Sequence, residues 1–88
     1  MRRADPHRAL IRVLTARYPG LLVLASRSEP WASVTFTGAR HELTCQGAPD
    51  PTGIDEAELA LPGHIVADVQ VTRSGGRISI EALTIEAV

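Results

Sequence analysis

Three histidines (His7, His41 and His64), one cysteine (Cys45) and ten Asp and Glu side chains are the groups in this chain able to do acid–base, nucleophilic or metal chemistry. Spacing decides what they can do together. His41 and Cys45 lie four positions apart in a stretch that reads as a strand, which separates them by roughly 13 Å. A Cys–His nucleophilic pair within that strand is therefore excluded. His64 and Asp68 have the same spacing on a later strand, on one predicted face, and cannot bond to each other directly. A metal site needs three or four ligands converging from different elements, and no close-spaced pair of ligand type occurs. Cys45 reads most simply as a small buried hydrophobe. His41, beside a predicted turn, reads as a partly exposed rim residue.

The other polar candidates carry no local signature. Ser26, Ser28, Ser33, Ser74 and Ser79 lack the strand–turn–helix context of a nucleophile elbow. Gly75-Gly76 has no helix after it to cradle a phosphate, and a tight hairpin turn explains it. Glu56 and Glu58 sit in a polar segment where carboxylates are ordinarily solvated. No catalytic, cofactor-binding or metal motif results, and no cofactor is expected.

These side chains must be positioned by one small domain of 88 residues, short enough that it buries only roughly 60–65% of its unfolded surface. All nine basic side chains are Arg, and Lys and Asn are absent, a bias of the kind a GC-rich genome produces. The net charge of −1 gives no global attraction to nucleic acid or membrane. Charge is nevertheless segregated. Residues 1–18 carry +4, from Arg2, Arg3, Arg8, Arg12 and Arg17 against Asp5, and residues 19–88 carry −5. A lone cysteine forms no internal disulfide. No run approaches the ~20 apolar residues of a membrane span, and the N-terminal run is too short and charged for a signal peptide. A cytoplasmic protein without membrane contact is expected.

Asp5-Pro6 predicts a helix start, with Asp as N-cap and Pro at the first helical position. Leu10, Ile11, Val13, Leu14 and Tyr18 then form an apolar stripe, and Pro19-Gly20 ends the helix. From Leu21 the period becomes two. Residues 21–27 read as a strand, Ser28-Glu29-Pro30 as a turn, and 32–37 as a strand carrying Ala32, Val34 and Phe36 inward. Gly38-Ala39 is the predicted hairpin loop, which sets Phe36 opposite His41, Val34 opposite Leu43 and Ala32 opposite Cys45. Residues 47–53 read as a loop. Residues 54–61 fit either a short helical turn or a strand. In the last third, Ile65, Ala67, Val69 and Val71 alternate up to the Gly75-Gly76 turn, with Val66 on the side of Asp68, Gln70 and Thr72. Ile78 and Ile80 continue the inner face, and a bulge near Glu81-Ala82 is needed to bring Leu83 and Ile85 inward.

The sum is an α+β fold, one N-terminal helix on a mainly antiparallel sheet of about five strands. The function expected of it is a small binding or interaction module without catalysis, working through a protein partner or as a homodimer. Arg8, Arg12, Leu22 and Leu24 are the expected partner contacts. The alternatives are a small enzyme with a shallow site near His41, His64 and Asp68, brought together from separate strands, and a weak nucleic-acid binder using the basic helix. The three aromatic residues, Tyr18, Trp31 and Phe36, are few for a stacking platform.

Overall fold

The computed structural model describes residues 5–47 and 59–87. Its elements are α1 (Pro6–Arg17), β1 (Leu21–Ala32), β2 (Thr37–Gly47), β3 (Ala60–Leu61), β4 (His64–Ser74) and β5 (Arg77–Glu86). Helix α1 begins as its sequence dictates. The Asp5 carboxylate accepts from the His7 amide at 3.0 Å, and Pro6 stands where no backbone donor is needed. The five strands form one antiparallel sheet in the order β1-β2-β5-β4-β3, so β1 is a long edge strand and β5 lies at the centre. The sheet curls into a half-barrel with α1 on its inner side.

The core is the contact between the helix stripe and that inner face. Leu10 and Leu14 meet Leu21 of β1, Leu43 and Cys45 of β2, Ile78, Ile80 and Ala82 of β5, and Leu59 and Leu61 around β3. Ile11, Val13 and Tyr18 of the helix and Val69 and Val71 of β4 pack partly buried around them. Full burial of a Leu or Ile side chain contributes about 1.5–3 kcal/mol, so these few residues carry much of the stability of so small a domain.

The first hairpin differs from its expected form. Ser28-Glu29-Pro30 is not a turn but the middle of β1, which runs unbroken from Leu21 to Ala32. An edge strand tolerates Pro30, because one side of it needs no ladder hydrogen bonds. The turn is Ser33–Phe36, closed by the Ser33 amide on the Phe36 carbonyl at 2.7 Å and by the Ser33 hydroxyl accepting from the Phe36 amide at 3.0 Å. Gly38 and Ala39 lie within β2, opposite Trp31 and Pro30. The partners of His41, Leu43 and Cys45 on β1 are therefore Ser28, Ser26 and Val23. Val34 is fully exposed and Phe36 about half exposed. Gly38 has a different task from a turn, since a Cβ there would collide with the Thr84 backbone carbonyl on β5.

The bulges also fall elsewhere. β5 is continuous, with Ile78, Ile80, Ala82 and Thr84 all buried on the inner face and no interruption at Glu81-Ala82. The shift lies in its partner. The register passes from Val66↔Thr84 to Asp68↔Leu83, leaving Ala67 as the extra residue. This turns Val66 inward and Ile65 outward, the reverse of the simple alternation. A second bulge, at Leu24, separates Val23↔Cys45 from Ala25↔Thr44. The Gly75-Gly76 turn is as expected, both residues having positive φ (55° and 79°). Of residues 54–61, Ala60 and Leu61 are strand, and 54–58 lie outside the described residues, as does the predicted loop beyond Gly47.

Two truncations separate core from surface. Leu43→Ala should cost about 2–5 kcal/mol in a urea titration, the range for a buried leucine. Phe36→Ala should cost under about 1 kcal/mol in dilute solution. Equal losses would mean that Phe36 is packed in the core after all.

Candidate functional site

His41 is wholly buried on the inner face, not at a partly exposed rim, and it is the centre of a chain of polar groups. In register it lies between Ser28 of β1 and Ala82 of β5, and so small a neighbour as Ala82 leaves room for an imidazole. Its Nε2 is 2.9 Å from Thr84 Oγ1, and Thr84 in turn donates to the Ala39 carbonyl at 3.3 Å. Its Nδ1 is 3.0 Å from Nδ1 of His7, in the first turn of α1. The two rings are near parallel, 10° apart, with centroids 5.2 Å from one another. The other nitrogen of His7, Nε2, lies 3.0 Å from Ser26 Oγ on β1.

One ordering of protons satisfies every one of these contacts. Thr84 gives its single hydroxyl proton to Ala39, so it accepts from His41 Nε2–H. The Nδ1 of neutral His41 is then a lone pair, which accepts from His7 Nδ1–H. His7 is left with a lone pair on Nε2 facing the Ser26 hydroxyl. Burial, and then the adjacent His7, lower the His41 pKa from 6.5 to about 4, Asp5 opposing this and His64 adding to it. The neutral state that the hydrogen bonds require is the state the surroundings favour. A second proton would set two N–H groups head to head.

The outer face is organised differently. Trp31, Gly38, Ile85, Ile65 and Ala60 are successive partners across all five strands and form one apolar row. Beyond it, the turn residues Val34 and Phe36 project at the β1–β2 tip. Val34, Thr35, Phe36, Thr37, Ile65 and Ile85 line an open groove of about 580 Å³ with Glu86 at its rim, where Thr37 donates to the Glu86 carboxylate at 2.8 Å. The next row holds Glu29, Arg40, Leu83 and Asp68, and the row after it Arg27, Glu42, Glu81 and Gln70, with Arg27 paired to Glu42 at 2.8 Å.

The catalytic grouping expected from the sequence does not assemble. Asp68 is on the outer face beside Arg40 and Glu81, and the β4 bulge turns His64 to the inner face that holds His41, off the face it was expected to share with Asp68. His64 Nδ1 is instead 2.9 Å from the Pro62 carbonyl. Cys45 is buried, and burial raises its thiol pKa, which keeps it protonated and unreactive. Arg8 and Arg12 are exposed along α1, flanking a groove of about 470 Å³ with Asp5, Val13 and Pro62. Leu22 and Leu24 are exposed at the other end of β1 from the tip. Among the described residues no three or more His, Cys, Asp or Glu side chains come together as metal ligands.

Sequence reasoning missed His7 and Thr84. Both had a signal. His7 is in helical phase with Leu10 and Leu14, and Thr84 is in strand phase with Ile78, Ile80 and Ala82, so each continues a buried stripe. No family model matches the chain, and no curated protein or solved structure matches it either.

Two predictions follow from the buried imidazole. Unfolded His41 takes its proton near pH 6.5 and folded His41 only near pH 4, so in that window the unfolded state holds more protons. The contribution is complete above about pH 6.5 and lost as pH falls through about 4, at most about 3 kcal/mol. Urea titrations across this range should therefore show a loss on acidification that His41→Gln largely lacks. Thr84→Val keeps the shape but leaves His41 Nε2–H without an acceptor, and should cost about 1–3 kcal/mol at neutral pH. A neutral outcome would mean that the His41–Thr84 bond is not formed.

Proposed function

We propose that this chain is a protein-interaction module that docks through the outer face of its sheet at the β1–β2 tip, and that the occupant is a second copy of the chain. The observation that carries this reading is the uninterrupted apolar row from Trp31 to Ala60 with Val34 and Phe36 beside it. Five strands at about 4.8 Å spacing make the row roughly 19 Å long. With the tip residues it offers an apolar patch on the order of 300–400 Å², a size often functional on small proteins. A standard interface takes about 800 Å² from each partner, with an apolar centre and a polar rim.

The rim argues for a second copy. Glu29, Arg40 and Asp68 set both signs of charge side by side in the row below the apolar one. A mixed rim suits a partner with the same mixture, and two-fold pairing is the commonest way for a small protein to cover such a face. Edge-to-edge pairing through β1 is less favourable. The bulge at Leu24, the imino nitrogen of Pro30 and the charges of Arg27 and Glu29 are devices that blunt an edge. The face is left as the sticky surface.

Sedimentation equilibrium at tens of micromolar tests this. The expected result is a dimer for the wild type and monomers for Phe36→Asp and Ile65→Asp, both with unchanged far-UV circular dichroism. Leu22→Asp, at the opposite end of β1, should remain dimeric. A monomeric wild type at that concentration, or a dimer that only Leu22→Asp dissociates, would overturn the assignment.

A further inference from the structure

We propose that Ser26 is an acyl-accepting nucleophile, with His7 as its general base and His41 as the residue that positions that base. Three features of geometry point to it. Ser26 Oγ is 3.0 Å from His7 Nε2, within the reach a general base needs. His7 is oriented by a third group, since its Nδ1 is 3.0 Å from Nδ1 of His41, the arrangement of nucleophile, base and orienting residue that activates a hydroxyl. His41 is itself fixed, bonded to Thr84 on its far side and wholly buried. The proton order along the chain leaves the His7 lone pair, not its N–H, facing Ser26.

Ser26 Oγ attacks the carbonyl carbon of an acyl ester or thioester while its proton passes to His7 Nε2. The bond from that carbon to the leaving group then breaks, and the leaving alkoxide, phenolate or thiolate takes up the proton. The products are O-acyl-Ser26 and the free alcohol, phenol or thiol, an acidic phenol passing its proton on to the solvent. The positive charge that His7 carries between the two halves is shared through its Nδ1–H bond to His41. Ser26 is exposed, so water solvates the developing oxyanion and the reaction is confined to donors with good leaving groups.

The test uses the whole chain at neutral pH with p-nitrophenyl acetate, following p-nitrophenolate release and locating the acetyl group by peptide mass spectrometry. The expected result is one acetyl group per chain, on Ser26, formed roughly 100-fold or more faster than on Ser79 of the outer face, the lower end of what general-base assistance supplies. Ser26→Ala should abolish the burst. His7→Gln should slow it by a similar 100-fold, while the thermal unfolding curve shows the chain still folded. His41→Gln should slow it less and shift its pH profile, the mark of a positioning residue. Acetyl groups spread evenly over the serines, or a burst that survives His7→Gln in the folded chain, would overturn the proposal.

Discussion

An imidazole buried away from water must find a partner for each of its nitrogens, and much of this structure is arranged to meet that need at His41. An unpaired polar group there would cost about 1–3 kcal/mol, a large share of the stability of a domain this small. Thr84 supplies one partner from β5, and His7 supplies the other from the helix. Together with the His7–Ser26 contact, the second bond couples a helix and a sheet whose packing is otherwise mainly apolar. Dispersion and burial hold a helix on a sheet but are indifferent to small slides and rotations, whereas an Nδ1–Nδ1 contact is directional. It also links the helix cap to the core. Asp5 and Pro6 start the helix so that His7 falls in its first turn, in phase with Leu10 and Leu14 and directed at the sheet.

The second constraint is a shortage of cover. Among the described residues a single 12-residue helix lies on one face of a five-stranded sheet, and the other face has to be made tolerable in water. Over most of its length it is, through rows of Arg, Glu, Asp, Gln, Ser and Thr in register. At the tip it is not, and the apolar row there is the surface on which the proposed association rests. The bulges at Leu24 and Ala67 decide which residues fall on which face, and the one in β4 is what delivers Ile65 to the outside and turns His64 inward, away from the face of Asp68. Two inserted residues therefore govern both the polar chain inside and the apolar row outside.

Features fixed by local chemistry were legible in the sequence. Asp5-Pro6 as cap and first helical residue, Gly75-Gly76 as a turn with two positive φ angles, and the inward Leu43, Cys45, Ile78 and Ile80 each follow from interactions within a few residues. The first hairpin was misplaced because Gly38 and Pro30 have two meanings. A glycine serves a turn or a close approach, and a proline serves a turn or an edge strand. Only the sheet shows that Gly38 lies against the Thr84 carbonyl and that, among the described residues, β1 has no strand on one side. Bulges leave little trace in composition, since they are set by how two strands match over their whole length. His41 and Cys45 were placed on the correct face. The partners of His41 came from 34 positions upstream and 43 downstream, a convergence that periodicity alone does not specify.

The imidazole pair can be observed directly. Long-range ¹H–¹⁵N correlation spectra of the histidine rings at neutral pH report which nitrogen of each carries the proton. His41 should be neutral, protonated on Nε2 and bare on Nδ1, with His7 protonated on Nδ1 and a coupling across the Nδ1–H···Nδ1 bond between them. A spectrum with His41 as an imidazolium, or as the Nδ1–H tautomer, would contradict the hydrogen-bond order on which the helix–sheet attachment and the basicity of His7 toward Ser26 both depend.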